Sequence, residues 1–342
     1  MYSFSLKILI LYFFISSTSY ASLLEVRINK MHGLVLFIES IAEVKQRAPA
    51  HKKIYIAAYA KNKKIEAYRK ELISIHKKFY ASKIYGYPKT TRFMSAIMIE
   101  TTFAKTLAEL KNKVMVDHNF SFNKKILQRY FELLDTFLPI YESLIWDKSY
   151  ADMLETKTRI EKIIAKKDIS GMIRTAAIFY LRNPNNLKTF HLNLHPVPKG
   201  KSTKAFRIEN TASIGVVLGG KRKTQMNLKW LLSSTIFHEI CHDLYGPNKQ
   251  RIKKIFAKYS SATAKRVKNI INESLATSIG AGWVFHRLTG ANAKNSWYNN
   301  KEYNLFAKAL YKDVSDYLNH GKALDDQFVQ LAITHYNVSV KK

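Results

Sequence analysis

LKWLLSSTIFHEICHDLY, residues 228–245, is the stretch from which the fold prediction starts. Its apolar residues recur every three or four positions, which predicts one helix. His238 and His242 lie on the same stripe, so a helix would direct both imidazoles to one side. The pair Gly246-Pro247 that follows is a typical helix stop, and we expect the helix to end there.

Residues 238–242 have the pattern H-E-x-x-H. Two imidazoles on one helical face can bind one metal ion. Glu239, next to the first histidine, would then lie near the open side of that metal, where a carboxylate can accept a proton from a bound water. The alternative is a pair of buried histidines without a metal. It requires a chance match whose odds are about one to two per cent.

A tetrahedral catalytic zinc needs a third protein ligand, and Glu273 is the candidate that the sequence offers. It lies in Asn-Glu-Ser-Leu-Ala, residues 272–276, within an apolar stretch from about 264 to 285 that predicts a second helix. Small residues such as Gly280 share its face and would let the two helices approach closely. The alternative is a solvated surface charge, but acidic residues are scarce and the surrounding face is apolar.

Two short stretches before the motif predict β-strands. Residues 212–218 (ASIGVVL) are rich in β-branched side chains and precede Gly219-Gly220, and residues 190–194 (FHLNL) form the second stretch. A strand beside a metal-binding helix can pair its free edge with an extended peptide, which favours a peptide substrate. Helical spacing recurs in residues 26–44, 63–81, 94–114, 123–146, 303–318 and 323–336. The predicted fold class is therefore α+β and mostly helical.

H-E-x-x-H followed downstream by N-E-x-x-A resembles the gluzincin superfamily of zinc metallopeptidases, which includes the thermolysin-like enzymes and the membrane-alanyl-type aminopeptidases. The resemblance covers roughly residues 190–286 and rests on these two motifs. It implies one Zn²⁺ ion bound by His238, His242 and Glu273, with Glu239 as the general base. The expected activity is hydrolysis of peptide bonds through a zinc-activated water.

The resemblance also implies a zincin-like catalytic domain, in which a short sheet accompanies the active-site helix and the Glu-ligand helix. We expect this domain in residues 169–342, together with the C-terminal helices. Residues 22–168 would form a helical N-terminal accessory domain or pro-domain, because they show helical spacing and no catalytic motif.

The chain departs from both named branches of the superfamily. Residues 243–272 form a longer and strongly basic insert between the second histidine and the glutamate. Thr277 occupies the position where thermolysin-like enzymes have an aspartate that is hydrogen-bonded to a ligand histidine, so another residue must orient that imidazole. The G-x-M-E-N motif of the aminopeptidases is absent. We therefore expect a divergent gluzincin rather than a member of either branch.

Members of the superfamily commonly use a tyrosine or a histidine to donate a hydrogen bond to the oxyanion. Tyr298, Tyr303 and Tyr336 are the candidates that we favour for this donor. His286 and His335 are the other residues that we considered. For each of them the alternative is a purely structural role, and the spacing in sequence does not choose among them.

The N terminus is typical of a secretory signal peptide, which we assign to residues 1–21. Lys7 ends a short positive region, an apolar run follows, and Ser-Tyr-Ala at 19–21 is a cleavage site with small flanking residues. The apolar run is too short to span a bilayer. The protein is therefore predicted to be periplasmic or secreted, and not transmembrane. Cys241 is the one cysteine of the sequence, which excludes an internal disulfide.

The chain is strongly basic, with 56 Lys and Arg against 25 Asp and Glu and a formal net charge of +31. The basic residues are spread along the sequence, which favours a solvated surface over a single binding motif. The alternative is attraction to an anionic surface or polymer. Nucleic acid is not an expected partner, because the chain is predicted to be exported.

Two other functions are compatible with the same motifs. The protein would be a zinc amidase that acts on cell-wall peptides, or a catalytically inactive basic scaffold that binds anionic surfaces. Glu239 argues against the scaffold, because a protein that only binds has no need of a general base.

Overall fold

The computed structural model describes residues 22–43, 49–84, 91–116, 122–197, 206–208, 210–217 and 225–340. The predicted signal peptide at 1–21 and the pair Gly219-Gly220 lie outside these residues. None of the helices within the described ranges combines the length and the apolar character that crossing a membrane requires.

The fold is α+β and mostly helical, as the sequence predicts. In its described part, residues 22–179 are helical apart from one strand of the main sheet and a two-stranded hairpin. In chain order the elements are β1 (Leu24–Ile28), α1 (Lys30–Ile41), α2 (Pro49–Tyr59), α3 (Lys63–Ala81), β2 (Lys83–Ile84), β3 (Thr91–Arg92), α4 (Phe93–Glu100), α5 (Leu107–Val116), α6 (Lys124–Tyr141), α7 (Asp147–Lys166) and α8 (Ile169–Phe179).

The rest of the chain contributes the other strands of the main sheet and the helices around the candidate site. The strands are β4 (Phe190–Val197), β5 (Phe206–Ile208) and β6 (Thr211–Val217). The helices are α9 (Gln225–Leu231), α10 (His238–Phe256), α11 (Ala262–Thr277), α12 (Phe285–Thr289), α13 (Lys301–Asn319) and α14 (Asp326–Ser339).

The main sheet is mixed and has the strand order β1-β4-β6-β5 over the described residues. β1, β4 and β6 are parallel to one another, and β5 runs antiparallel to β6 at the edge. β4 is buried along almost its whole length, as expected for a parallel strand covered on both faces. β4 and β6 confirm the two predicted strands. β5 was not predicted, because three residues carry too little pattern.

The predicted helix at 26–44 is wrong at its start, because the chain first forms β1. Leu24 and Val26 are buried on one side of that strand. The side chain of Asn29 then accepts hydrogen bonds from backbone N–H groups of the first helical turn, so α1 begins at Lys30. This cap separates a strand from a helix within one apolar stretch, and apolar spacing alone does not detect it.

Three of the other predicted helices are confirmed, and two predicted stretches differ from the structure. α3, α13 and α14 confirm the helices predicted at 63–81, 303–318 and 323–336. The stretch 94–114 forms two helices, α4 and α5, rather than one. The stretch 123–146 comprises α6 and a following π-helical turn. α2, α7 and α8 were not predicted as individual helices.

α10, which carries both motif histidines, does not stop at Gly246-Pro247 but continues to Phe256. Pro247 has no N–H group, so the carbonyl of Asp243 loses its usual helical partner. Beyond the proline, Ile252 and Phe256 are buried four residues apart, and this burial stabilises the additional turns. The predicted stop is wrong because tertiary packing outweighs the local signal.

Residues on the two sides of the expected domain boundary at 168 pack together. β1 pairs with β4 in a parallel register, and the buried apolar residues form one cluster that includes both parts. Nε2 of His32 on α1 lies 2.7 Å from the hydroxyl oxygen of Ser213 on β6. The same hydroxyl lies 2.9 Å from Nδ1 of His195 on β4. Burial lowers the pKa of His195 well below its usual value, so this ring is neutral at neutral pH. The division into two domains stays a prediction.

Two π-helical turns bring the histidine helix and the glutamate helix together. Leu232–Phe237 joins α9 to α10, and Ser278–Val284 joins α11 to α12. A β-carbon added to Gly280 would lie 2.6 Å from the carbonyl oxygen of Ser233 and 3.4 Å from the backbone nitrogen of His238. Glycine is therefore required for this backbone contact, which confirms the close approach predicted from the small residues. The π-helical turns themselves were not predicted.

Gly280→Ala tests whether this contact holds the two helices. The added methyl group must push the helices apart, so we expect a loss of about 1–3 kcal/mol in the free energy of unfolding, measured by urea denaturation. Gly246→Ala is the matched control, since a β-carbon on Gly246 would meet nothing within 4 Å. Alanine there is expected to leave stability unchanged or to raise it by about 1 kcal/mol. Equal stability of the two variants would contradict the account.

Candidate metal centre

α10 and α11 bring the three predicted ligands into one cluster. The Nε2 atoms of His238 and His242 lie 3.0 Å apart. One carboxylate oxygen of Glu273 lies 3.4 Å from His238 Nε2, and the other lies 3.3 Å from His242 Nε2. In the described part of the chain these three residues form a group whose ligand atoms all lie within 4.8 Å of one another.

The size of this cluster fits zinc. Nitrogen and oxygen ligands bind zinc at about 2.0–2.2 Å, so two donors on a tetrahedral ion lie about 3.3–3.6 Å apart. The two distances to Glu273 match that spacing, and the distance between the imidazoles is slightly shorter. Two histidines and one carboxylate are also a donor set that leaves the fourth position of a zinc ion for water.

The electrostatics of the cluster favour a positive charge at its centre. Hydrogen bonds from His238 and His242 hold the pKa of Glu273 well below its usual range. Burial lowers the pKa of His242, but the hydrogen bond and the negative charge of Glu273 outweigh burial and raise the pKa overall. The same groups that attract a proton here are those that would bind a metal cation.

The cluster is open on the side of His238. A cleft of about 500 Å³ runs along this side, and Glu239 and His238 line it. The side chain of His238 is 10% exposed, and that of Glu273, which lines a pocket on the side of His242, is 33% exposed. The remaining lining residues of the cleft are Trp230, Ser234, Thr235, Ser296, Trp297, Tyr298 and Asn299.

Arg207, on the edge strand β5, contacts two carboxylates of α10. Its Nε atom lies 3.7 Å from the carboxylate of Glu239, and its guanidinium donates a hydrogen bond of 3.1 Å to Asp243. The edge of the sheet is thereby held against the helix that carries the motif. No pattern in the sequence pointed to Arg207, because β5 itself was not predicted.

Tyr298 is the candidate oxyanion donor that lies at the cluster. Its hydroxyl donates a hydrogen bond of 3.1 Å to Glu273, and its ring stacks on the imidazole of His238 with centroids 5.8 Å apart. Burial and the charge of Glu273 raise the pKa of Tyr298 to about 12, so the hydroxyl keeps its proton at neutral pH. The backbone N–H of Trp297 donates to the side chain of Asn304, which fixes the loop before α13.

The other two tyrosine candidates do not line the cleft. The ring of Tyr303 packs on that of Tyr298 with centroids 5.6 Å apart. The hydroxyl of Tyr336 donates a hydrogen bond of 2.6 Å to Glu302. Of the two histidines considered, His335 lies 2.5 Å through Nε2 from Asp313, and His286 is exposed. The geometry thus singles out Tyr298.

Asn272, the neighbour of Glu273, is the candidate for the residue that orients the imidazole of His242 in place of Thr277. Nδ1 of His242 and Oδ1 of Asn272 are both buried and lack a hydrogen bond of good geometry to any described residue, yet the side chain of Asn272 contributes to raising the pKa of His242. A hydrogen bond between these two atoms would satisfy both and fix the imidazole. The hydroxyl of Thr277 is buried and bonds to no described residue.

Asn272 was missed in the sequence because its proximity to His242 depends on a contact between two helices rather than on spacing within one helix.

Comparisons with protein-family models, with curated proteins and with solved structures found no match to this chain. What the cluster binds and catalyses is therefore inferred from its own residues.

Proposed function

We propose that this protein is a zinc-dependent metallopeptidase of the gluzincin type, in which His238, His242 and Glu273 hold one Zn²⁺ ion. The observation that carries the proposal is the convergence of the three donor groups, in which both distances from Glu273 to the imidazoles match the donor spacing of tetrahedral zinc. A bound zinc ion would supply a Lewis acid that polarises the scissile carbonyl and acidifies a water.

Glu239 is the general base of the proposed reaction. It follows His238 directly on α10 and lines the same cleft, so its carboxylate faces the space that a substrate and a water would occupy. The carboxylate accepts a proton from the attacking water and passes it to the leaving amine. Tyr298 keeps its proton at neutral pH and donates a hydrogen bond to the oxygen of the scissile carbonyl as negative charge develops there.

A peptide is the substrate that this arrangement favours. β5 is the edge strand, it runs antiparallel to β6, and Arg207 fastens it to α10. An extended peptide backbone would pair with this edge and so be drawn past Glu239. A short mixed sheet whose edge strand lies against the metal-binding helix supports a zincin-like catalytic domain. With the predicted signal peptide, the enzyme would act in the periplasm or outside the cell.

Glu239→Gln is the direct test of the general base. We expect the purified variant to bind zinc as the wild type does, because glutamine leaves the three ligands unchanged. Hydrolysis of a peptide library is expected to fall by roughly 10²- to 10⁴-fold, because the amide cannot accept the proton. Metal analysis and mass spectrometry of the cleaved peptides measure the two quantities.

Asp243→Asn is the matched control for that experiment. Asp243 lies on the same helix and also contacts Arg207, but it is not part of the ligand cluster. We expect it to retain activity within a few-fold, because the amide oxygen of asparagine can still accept the hydrogen bond from Arg207 that holds β5 against α10. Equal activity of Glu239→Gln and the wild type would exclude Glu239 as the base. Cleavage of cell-wall peptides alone would favour the amidase, and zinc binding without hydrolysis of any substrate would favour the scaffold.

Tyr298→Phe tests the oxyanion donor. The phenylalanine keeps the ring that stacks on His238 and removes the hydroxyl, so zinc content should be unchanged while kcat falls by roughly 10²-fold. Tyr303→Phe serves as the control, and we expect it to change kcat little. A comparable loss in both variants, or loss of zinc in place of kcat, would show that Tyr298 is structural.

A further inference from the structure

The two sides of the metal centre differ in charge. The cleft on the side of His238 is lined by aromatic and neutral polar residues together with Glu239, and no lysine or arginine is among its described lining residues. On the side of His242 lies a pocket of about 590 Å³ that Glu273 also lines. We call it the basic pocket, after its four cationic lining residues, Arg207, Lys249, Lys253 and Lys268.

The fold places these lysines beside the ligands. Lys249 and Lys253 follow His242 on α10 by seven and eleven residues, so they lie on the helical stripe that carries both motif histidines. This stripe exists because α10 continues past Pro247. Lys268 precedes Asn272 by one turn on α11 and so faces the same pocket. All three lysines belong to the basic insert at 243–272.

The three lysines lack acidic partners. In the ranges that the structure describes, Lys249, Lys253 and Lys268 form no ion pair. Arg207 differs, because it is paired with Asp243. Lys253 and Lys268 are half-buried, so their like charges are less screened than those of fully exposed side chains. A pocket that gathers unpaired cations is complementary to an anionic group.

A second pocket extends the positive charge away from the cluster. It has a volume of about 420 Å³, shares Arg207 and His242 with the basic pocket, and adds Arg182 and Lys188. The cations therefore line concave surfaces that begin at a metal ligand. This shape suits a group carried by the substrate better than it suits a flat membrane surface.

We propose that the basic pocket binds a carboxylate of the peptide substrate and so makes the enzyme selective for acidic peptides. The inference rests on the proposed peptidase function and specifies its substrate. Because His242 and Glu273 also line the pocket, the bound carboxylate lies on the substrate close to the bond that is cut. Acidic side chains and the C-terminal carboxylate share the required chemistry.

Paired peptides measure this selectivity. Each pair differs only by Glu or Gln at one position near the cleaved bond, and each peptide is made with a free or an amidated C terminus. We expect the wild type to cleave the acidic member at least about tenfold more efficiently, through a lower KM, with the preference shrinking at high salt. The arm in which the preference follows the side chain or the C terminus identifies the source of the carboxylate.

The double variant Lys253→Gln/Lys268→Gln locates the selectivity. For each lysine that is replaced, we expect the preference for the acidic peptide to fall about threefold. The neutral peptides should be cleaved as they are by the wild type. Lys64→Gln/Lys70→Gln on α3 removes the same charge from an exposed surface and should keep the preference. Equal losses in the two double variants, or no preference in the wild type, would overturn the proposal while leaving the peptidase function intact.

Binding separates this proposal from the peptidase function itself. Fluorescence anisotropy of a labelled acidic peptide and its Gln counterpart, with the Glu239→Gln protein, reports on the pocket without turnover. Tighter binding of the acidic peptide that the two lysine substitutions abolish supports the pocket even if no peptide is hydrolysed. If those substitutions instead weaken binding only to vesicles containing anionic lipid, the pocket is a membrane contact and the proposal is wrong.

Discussion

The backbone contact between Gly280 and Ser233 is the constraint on which the candidate site depends. A side chain at position 280 would collide with the carbonyl of Ser233, so only glycine lets the two π-helical turns meet. That contact, together with the direct packing of α10 on α11, brings Glu273 close to both imidazoles. Tyr298 contacts Glu273 and His238, and the basic pocket is lined by His242 and Glu273. π-helical turns commonly occur at functional sites, where they shift side chains relative to a regular helix.

Charge is distributed around this contact in a way that the composition alone does not reveal. The chain has a net charge of +31, yet Glu273 lies within the cluster, where the histidines stabilise its ionised form, and Glu239 lines the cleft beside His238. A cation is therefore favoured at the centre, within a protein that otherwise repels cations. The unpaired lysines of α10 and α11 begin immediately beyond. The proposed zinc site thus lies next to the proposed carboxylate pocket, and the two together would suit an acidic substrate.

The clustering of His238, His242 and Glu273 could be predicted from the sequence, because helical periodicity fixes the direction of a side chain and two helices were recognisable. β1 was not predicted, because Asn29 is the one residue between it and α1, and apolar spacing does not detect such a cap. The end of α10 was mispredicted because burial of Ile252 and Phe256 outweighs the proline. Arg207, Asn272 and Tyr298 could not be singled out from the sequence. They are recognised by contacts between different helices and strands, and spacing along the chain carries no information about such contacts.

Three side chains on two helices are proposed to bind one zinc ion. The anomalous difference density of crystals of the zinc-loaded protein, recorded at the zinc absorption edge, locates that ion. We expect one peak at about 2.0–2.2 Å from Nε2 of His238, Nε2 of His242 and the carboxylate of Glu273, with the fourth position facing the cleft that Glu239 lines. A peak bound elsewhere, or no peak while the three side chains bond only to one another, would contradict it.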